Sequence, residues 1–573
     1  MSCNLSARIH LFGLGVLTSW ALLDRATNAS AQPQPAQAPS VSASSASPLS
    51  QPVLDSGAGA PPNGSPLAPA TSPATLPPDA GGVPPGEGLT APSTSTAPSP
   101  TPTAPSPTPT APAPVSAPAA TTPAAPASTE PEKPSTQAPA TEPFAFGNFT
   151  WLNGESRQHR SLLDSPIFTG QLLLDLNYTA SRNMPIDNTV VGSTALSRNN
   201  ELTIAFVGFG GDFHYEHARG RLMTQFGIRS ILVARNDFST FRGQFDLQNA
   251  LRYISEANGG YHWDLLHGIN LDLGIFMSYV GLFSFDNFEN WMYLPSYTSD
   301  NTPWFFNGIR IQIFPTDTLK IEPWIINGWQ TYGKFNEMPG FGSQILFRPV
   351  DWFSVLSNWY LGWDAQDLPG LFRWHTDTSL TVSYYHDARA FIKRVASSYT
   401  FDLGGENGDG VSFAGNAAEG HCTPNNTCPA RFVSGMMYHR VWFSDQFAVT
   451  AGGGFMSNPS RYLVLSPTGN ASPIPQPEST QGIQYVPATQ PFDLNLGTHF
   501  NAWDYSFGFQ YMPIEQFTLD VEWNHRQADV PYFAGHGGVT SPDGYITTTL
   551  PPGWRPDLVK SDDRIIFAWL VRF

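Results

Sequence analysis

The last nine residues, Ile565 to Phe573, carry large apolar side chains at every second position. In an extended chain alternate side chains point to opposite faces. Ile565, Phe567, Trp569, Val571 and Phe573 therefore form one stripe, and Ile566, Ala568, Leu570 and Arg572 the other. The same alternation recurs upstream. Phe168, Leu172, Leu174, Leu176 and Tyr178 oppose Thr169, Gln171, Asp175, Asn177 and Thr179. Trp503, Tyr505, Phe507, Phe509 and Tyr511 oppose Asp504, Ser506, Gly508 and Gln510, and Phe517, Leu519, Val521 and Trp523 oppose Thr518, Asp520, Glu522 and Asn524. One such strand also suits a soluble sandwich. Many of them, with the aromatics concentrated on the apolar face, predict lipid outside and water inside. In lipid the only sheet that pairs every backbone group is a closed one.

Connection lengths give an independent reading. Short turns are expected at Glu216–Arg219, Asn258–Gly260, Pro315–Thr318, Pro349–Asp351, Asp387–Ala390, Phe443–Gln446 and Pro513–Gln516. Long loops are expected at 182–200, 234–243, 280–302, 331–339, 364–372, 403–429, 458–496 and 528–561. The alternation of short and long connections predicts an all-β fold, a transmembrane antiparallel up-and-down β-barrel over 144–573. Its strands number about 16, an even number with both chain ends on the short-turn, periplasmic side. The segment 144–151 is a lead-in inside or below the barrel, or an extra strand pair that makes 18.

Composition agrees with that picture. Charged residues are only 13% and aromatics also 13%, yet mean hydropathy is slightly negative. Beyond the N-terminus no uncharged apolar run is long enough for a membrane helix. Residues 1–31 read as a secretory signal: Arg8, an apolar core from Ile9 to Leu23, then the small-x-small site Ala29-Ser30-Ala31. Residues 32–143 are Ala, Pro, Ser and Thr almost throughout, and the heptapeptide Ser-Pro-Thr-Pro-Thr-Ala-Pro occurs at 99–105 and again at 106–112. Such a stretch lacks the apolar mass to fold. It is expected to be a disordered periplasmic spacer whose outer reach, at ~3.1 Å per residue, is a few hundred ångströms. That reach admits contact with peptidoglycan. A net charge of −17 without a basic cluster argues against a nucleic-acid partner. Cys422 and Cys428, an even pair in a Gly/Asn/Pro-rich stretch, are expected to form a disulfide in an oxidising compartment. A two-thiol metal site would need a second half that only His421 offers.

Several stretches resemble one family. Ser278-Tyr279-Val280-Gly281-Leu282, then Asn287-Phe288-Glu289-Asn290-Trp291, Pro295-Ser296 and Pro303, are similar to the central signature of the OmpL-like β-barrel porins of Gram-negative bacteria. Pro185-Ile186-Asp187 and Gly147-x-Phe149-x-Trp151 resemble that family too. The resemblance covers most of 144–573. It implies an outer-membrane diffusion channel with no catalytic residue and no cofactor. The Pro-rich leader departs from the plain porin pattern. Phe573 resembles the terminal aromatic that the barrel assembly machinery reads. Outer-membrane lipid and lipopolysaccharide are the expected surroundings. Monomer and homotrimer both stay open, since no wall is plainly less lipophilic.

Selectivity is expected in loop 280–302, the third long loop, by analogy with porins in which that loop folds inward. Asp286, Glu289 and Asn290 would face the pore, and Phe283, Phe285, Phe288 and Trp291 would pin the loop to the wall. Arg221, Arg229, Arg252 and Arg310 are placed by alternation on the water face nearby, so that acids opposite arginines set a transverse field across the passage. The plainer reading pairs those arginines with Asp246, Glu256 or Asp272 on the same wall. Catalytic patterns are missing: there is no Gly-x-Ser-x-Gly elbow and no His-Glu-x-x-His. Asp212, His214, Glu216 and His217 at a turn, and the acidic Gly-rich stretch Asp402–Gly410, read as polar rim and solvated loop before they read as metal sites. The expected activity is passive diffusion of small hydrophilic solutes. The rival from another class is a sealed barrel that anchors adhesive loops, with the leader as a wall tether.

Overall fold

Seventeen hydrogen-bonded segments make one sheet. One of them, the three-residue Leu163–Ser165, only folds back on the foot of the first long strand, which leaves sixteen. In chain order these are β1 (Phe168–Ser181), β2 (Leu202–Tyr215), β3 (Ala218–Thr224), β4 (Ile254–Trp263), β5 (Ile269–Met277), β6 (Phe305–Thr316), β7 (Leu319–Ile326) and β8 (Gly340–Val350). There follow β9 (Phe353–Gly362), β10 (Phe372–His386), β11 (Arg394–Asn407), β12 (Arg431–Trp442), β13 (Phe447–Asn458), β14 (Phe500–Ile514), β15 (Phe517–Ala528) and β16 (Ser561–Arg572). Each pairs antiparallel with the next, and β16 returns to pair with β1 from Leu173↔Arg572 to Ser181↔Arg564. Phe573 adds a reciprocal pair of backbone bonds to Leu172, each 2.9 Å. The expected 16-stranded closed barrel is therefore the architecture. This computed structural model describes residues 142–573 apart from 160, 235–236, 238, 240–242, 335, 366–367, 419–420, 462, 465–466, 468–497 and 541–553. The secretory signal expected over 1–31, nearly all of the spacer over 32–143, and much of the loops at 458–496 and 528–561 lie outside the described residues.

Burial in the barrel is inverted relative to a water-soluble protein. On β14, Trp503 and Phe507 are 44% and 51% exposed. Asp504, between them, is 4% exposed, and Glu522 on β15 is 0%. Carboxylates inside and aromatics outside are stable only where the outside is oil and the inside holds polar partners. The terminal stripe behaves alike: Ile565 and Phe567 face out, while Ile566, Ala568 and Leu570 are buried. Among the described residues no helix is long and apolar enough to cross a membrane; the strands do the crossing.

Two expectations fail near the start of the barrel. Asn258–Gly260 is not a turn. It lies inside β4, with Gly260 paired to Arg219 on one side and Asp272 on the other. A Cβ on Gly260 would sit 2.0 Å from the Leu271 carbonyl oxygen, so the glycine permits close strand approach instead of reversing the chain. The reversal comes at Asp264–Gly268, where Leu266 and Gly268 take positive φ of 58° and 121°. As a consequence the loop expected at 234–243 runs from 225 to 253. The stretch expected to end in a loop at 403 stays in β11 to Asn407, where buried Glu406 is ion-paired to Arg373 on β10 at 3.0 Å.

Candidate functional site

Loop 278–304, between β5 and β6, does not project outward. It folds into the barrel and touches the inner wall on several sides. Asn287 donates to Asp175 on β1 at 2.9 Å, and the Tyr293 hydroxyl donates to the other oxygen of that carboxylate at 2.8 Å. The Leu294 N–H donates to Glu522 on β15 at 3.0 Å, and Ser296 donates to Asp504 on β14 at 2.7 Å. Across the lumen, Tyr279 donates to the Trp359 carbonyl on β9 at 2.8 Å and its own carbonyl accepts from Gln344 on β8 at 2.9 Å. A short 3-10 turn, Asn287–Glu289, starts under an Asp286 cap, and a four-residue helix, Tyr297–Asp300, ends against Arg526 of β15, 2.5 Å from Asp300.

The wall is cut to receive this loop. A Cβ on Gly342 would lie 1.8 Å from the Tyr279 hydroxyl oxygen, one on Gly454 2.4 Å from Ser296 Oγ, and one on Gly508 2.8 Å from Met292 Sδ. Aromatic contacts hold it further: Phe285 meets Phe206 edge-on at 5.6 Å, Phe283 meets Tyr438 at 5.3 Å and Trp291 meets Trp442 at 5.4 Å. Phe288 belongs to a buried cluster with Ile566, Ala568 and Leu570 of β16, and the Arg157 guanidinium lies over its ring at 4.2 Å.

The loop's acids meet one cation. Asp286 and Glu289 both pair with Arg572, on the inner face at the end of β16; the Asp286 contact is 3.3 Å and the Glu289 contact is closer. Burial pushes the Glu289 carboxyl up to about 6, against the pull of Arg572 and with the help of neighbouring Asp286. Asn290 staples the loop to itself, accepting from the Ser284 N–H at 2.8 Å and donating to the Ser284 carbonyl at 2.9 Å.

The four arginines singled out from alternation do not face these acids. Arg221, on β3, pairs with Asp212 at 2.8 Å and with Glu256 on the adjacent β4. Arg310, on β6, pairs with Asp272 of the adjacent β5 at 2.8 Å. Arg229 and Arg252 are not on strands at all, because the chain leaves the sheet at Thr224. Arg229 opens a helical turn, Arg229–Leu232, and reaches the Phe285 carbonyl and Asp175. Arg252 caps the end of a second turn, Leu247–Leu251, whose start is capped by Asp246. Arg572 was legible as the one charge among the last nine residues, on the inner face of the terminal strand.

A second element shares the lumen. Residues 142–159 cross the short-turn mouth from one side to the other. The Phe144 N–H donates to the Asp317 carbonyl in the β6–β7 turn at 2.7 Å, and the Trp151 indole donates to the Asp351 carbonyl in the β8–β9 turn at 3.1 Å. At the far side Gln158 donates to the Arg572 carbonyl at 2.8 Å, and His159 meets Glu515 in the β14–β15 turn at 2.7 Å. In a ring of sixteen strands these anchors are nearly opposite. Midway the segment is tied to the inserted loop: Asn153 accepts from the Trp291 N–H at 2.7 Å, the Trp291 indole donates to the Trp151 carbonyl at 3.0 Å, and the Gly154 N–H donates to the Glu289 carbonyl at 3.2 Å. Gly154 has φ +80°, and a Cβ there would meet the Leu282 carbonyl oxygen at 2.3 Å.

At the other end, loops fold over one another. Asp187 of the first loop accepts from the N–H groups of Val539 and Thr540 in the last, at 2.8 and 2.7 Å, and from Thr189. Burial works against its charge, and those N–H donors outweigh burial, holding the carboxyl below its usual range. Cys422 and Cys428 form a disulfide on the 408–430 loop, with Cα atoms 5.1 Å apart. Asp212 is spent on Arg221 and Asp402 faces His375 inside the barrel. No group of three or more His, Cys, Asp or Glu among the described residues is arranged to hold a metal.

The sequence profile of the family described as "Putative beta-barrel porin-2, OmpL-like" matches residues 168–550. The chain belongs to this family. The match runs from the start of β1 to within the last long loop, and so takes in fifteen of the sixteen strands, β1 to β15. No curated protein matches this chain. Several solved outer-membrane proteins are similar at low identity. The outer membrane channel DcaP of Acinetobacter baumannii is 10% identical, covering 72% of this chain and 99% of its own, with a TM-score of 0.39. The anion-selective porin of Comamonas acidovorans is 10% identical, covering 71% and 99%, with a TM-score of 0.39. OmpT of Vibrio cholerae is 9% identical, covering 72% and 100%, with a TM-score of 0.38. Membership of the porin family makes this an outer-membrane β-barrel, of a kind that passes small solutes.

Proposed function

We propose that this OmpL-like porin is a passive channel for small hydrophilic solutes, filtering by size and charge where loop 278–304 lies across the lumen. The observation that carries the reading is the loop itself, seated in the water-facing interior with Asp286 and Glu289 held against Arg572. Fixed charges of opposite sign across a narrow, low-dielectric passage favour polar solutes and penalise those that must shed water without compensation. In the same reading the short turns, both chain ends and Phe573 face the periplasm, residues 1–31 direct export, and residues 32–143 form a spacer long enough to reach peptidoglycan. Phe573 is the mark read by the assembly machinery, and a homotrimer is the assembly to test by sizing in mild detergent.

The second reading, a non-conducting anchor, has one specific observation behind it: the inserted loop and the 142–159 segment together occupy much of the short-turn mouth. Planar-bilayer recording separates the two. A conducting barrel whose ion preference changes in D286A/E289A supports the filter. A conducting barrel indifferent to both substitutions removes the charge filter, and a sealed one favours the anchor.

A further inference from the structure

Between the crossing segment, the inserted loop and the wall at β10–β14 lies a cavity of about 500 Å³. Its cations and anions are not matched. Three of its four acids are already paired: Glu155 with Arg348, Glu289 with Arg572, and Glu515 with His159. The fourth, Asp445, is exposed on the β12–β13 turn. Three arginines on the same cavity, Arg157, Arg394 and Arg440, have no carboxylate in ion-pair range among the described residues.

Their donors go instead to neutral groups. Arg157 donates to the Phe517 carbonyl at 2.6 Å and weakly to that of Ile514. Arg440, 3% exposed, donates to the Trp291 carbonyl at 2.9 Å and to Thr450 at 3.2 Å. Arg394 makes one long bond, 3.3 Å, to Ser383. Nε and one Nη of Arg157, and Nε of Arg440, are buried with no protein acceptor. Asp520 attracts Arg440 but accepts from Gln510 at 2.7 Å, while Arg157 and Arg440 repel one another. Each guanidinium rests on an aromatic ring of the same cavity: Arg157 on Phe288 at 4.2 Å, Arg394 on Trp151 at 5.1 Å, and Arg440 on Trp442 at 5.0 Å.

Like charges held together, partly dehydrated and with N–H groups unspent, are costly unless an anion answers them. Guanidinium forks match carboxylate and phosphate oxygens in charge and geometry. The rings fix where the forks point, and the cavity's volume suits a small organic molecule. We propose that this cavity is a binding subsite for small anions bearing a carboxylate or phosphate, with Arg157, Arg394 and Arg440 as its recognition groups. That such anions are also what the barrel transports rests on the channel reading above; the site does not.

The test is calorimetric titration of the full-length protein folded in detergent, with succinate, inorganic phosphate and, as the uncharged control, succinamide. Expected is saturable binding of succinate, of phosphate or of both, none of succinamide, and at least a tenfold loss of affinity in R157Q and R440Q. Which anion binds tighter identifies the preferred oxyanion. Should R440Q fail to fold, R394Q, which gives up only one long hydrogen bond, serves in its place. No saturable heat with either anion overturns the site, as does equal binding of succinamide or undiminished affinity in the folded variants. Conductance is read separately. A barrel that binds succinate but passes no ions keeps the site and loses the channel; one that conducts without binding does the reverse.

Discussion

At the scale of residues, Glu289 is the side chain whose charge state matters most for passage. With its carboxyl pushed up to about 6 by burial, it is charged at neutral pH and takes up a proton as the medium becomes more acidic than that. Arg572 then faces Asp286 alone, and the passage becomes less favourable to cations. Reversal potentials in a salt gradient should therefore move toward anion preference between about pH 8 and about pH 5. E289Q should show the acid-side value throughout. A wild-type ratio that does not change with pH would reject the assignment. The acids were legible in the sequence because polar groups among loop aromatics have few reasons to be there other than the lumen. Their true partner was harder to find. Alternation says which face a strand residue takes, and it put Arg572 on the inner face, but it does not say which inner residue a loop from another part of the chain will reach.

At the scale of elements, the first and last loops are joined through Asp187, a residue of the Pro-Ile-Asp motif. Its depressed carboxyl contributes stability that is present above the ordinary carboxylate range, roughly pH 4, and lost as pH falls through its lower folded value. D187N should release the last loop and lower the unfolding temperature at neutral pH, at a cost of about 1–2 kcal/mol for the charged hydrogen bonds. The gap between variant and wild type should narrow in acid. Thermal shift of the heat-modifiable gel band measures both, and identical curves at neutral pH would refute the tie. Turns and long loops were mostly legible because chain reversal and strand alternation leave different residue signatures. The failure at Asn258–Gly260 has a physical cause. Glycine serves tight turns and close strand approach alike, and spacing alone does not separate these uses. That one slip put Arg229 and Arg252 on strands they do not occupy.

At the scale of the whole molecule, the oily outer surface is the strongest constraint. An arginine at Phe507, half-exposed in the middle of β14, should cost about 2–4 kcal/mol of stability in the bilayer. Arginine at the inward neighbour Gly508 would collide with Met292 of the inserted loop instead. Folding yields of F507R into lipid vesicles, compared with F507L, check this; equal yields would contradict a lipid-facing β14. The segment at 142–159 makes a second global prediction. Trp151→Ala removes the tie to Asp351 and the ring beneath Arg394, so single-channel conductance should rise and become noisier. Unaltered traces would show that the segment does not limit flow. The sequence placed this stretch in or below the barrel without revealing that it spans the mouth, because most of its anchors, at Asp317, Asp351 and Arg572, are backbone carbonyls, which carry no sequence signature.

The pairing of β16 with β1 joins residues about 400 positions apart, as in Leu174 with Val571. Until that seam is made, the growing sheet has two raw margins, each a row of unspent donors and acceptors ready to recruit a stranger. Bringing such distant partners together is also entropically slow. A chain cut short by even its final strand would thus be left with both margins unsealed, and its fate should be clumping with its own kind instead of a slightly smaller cylinder.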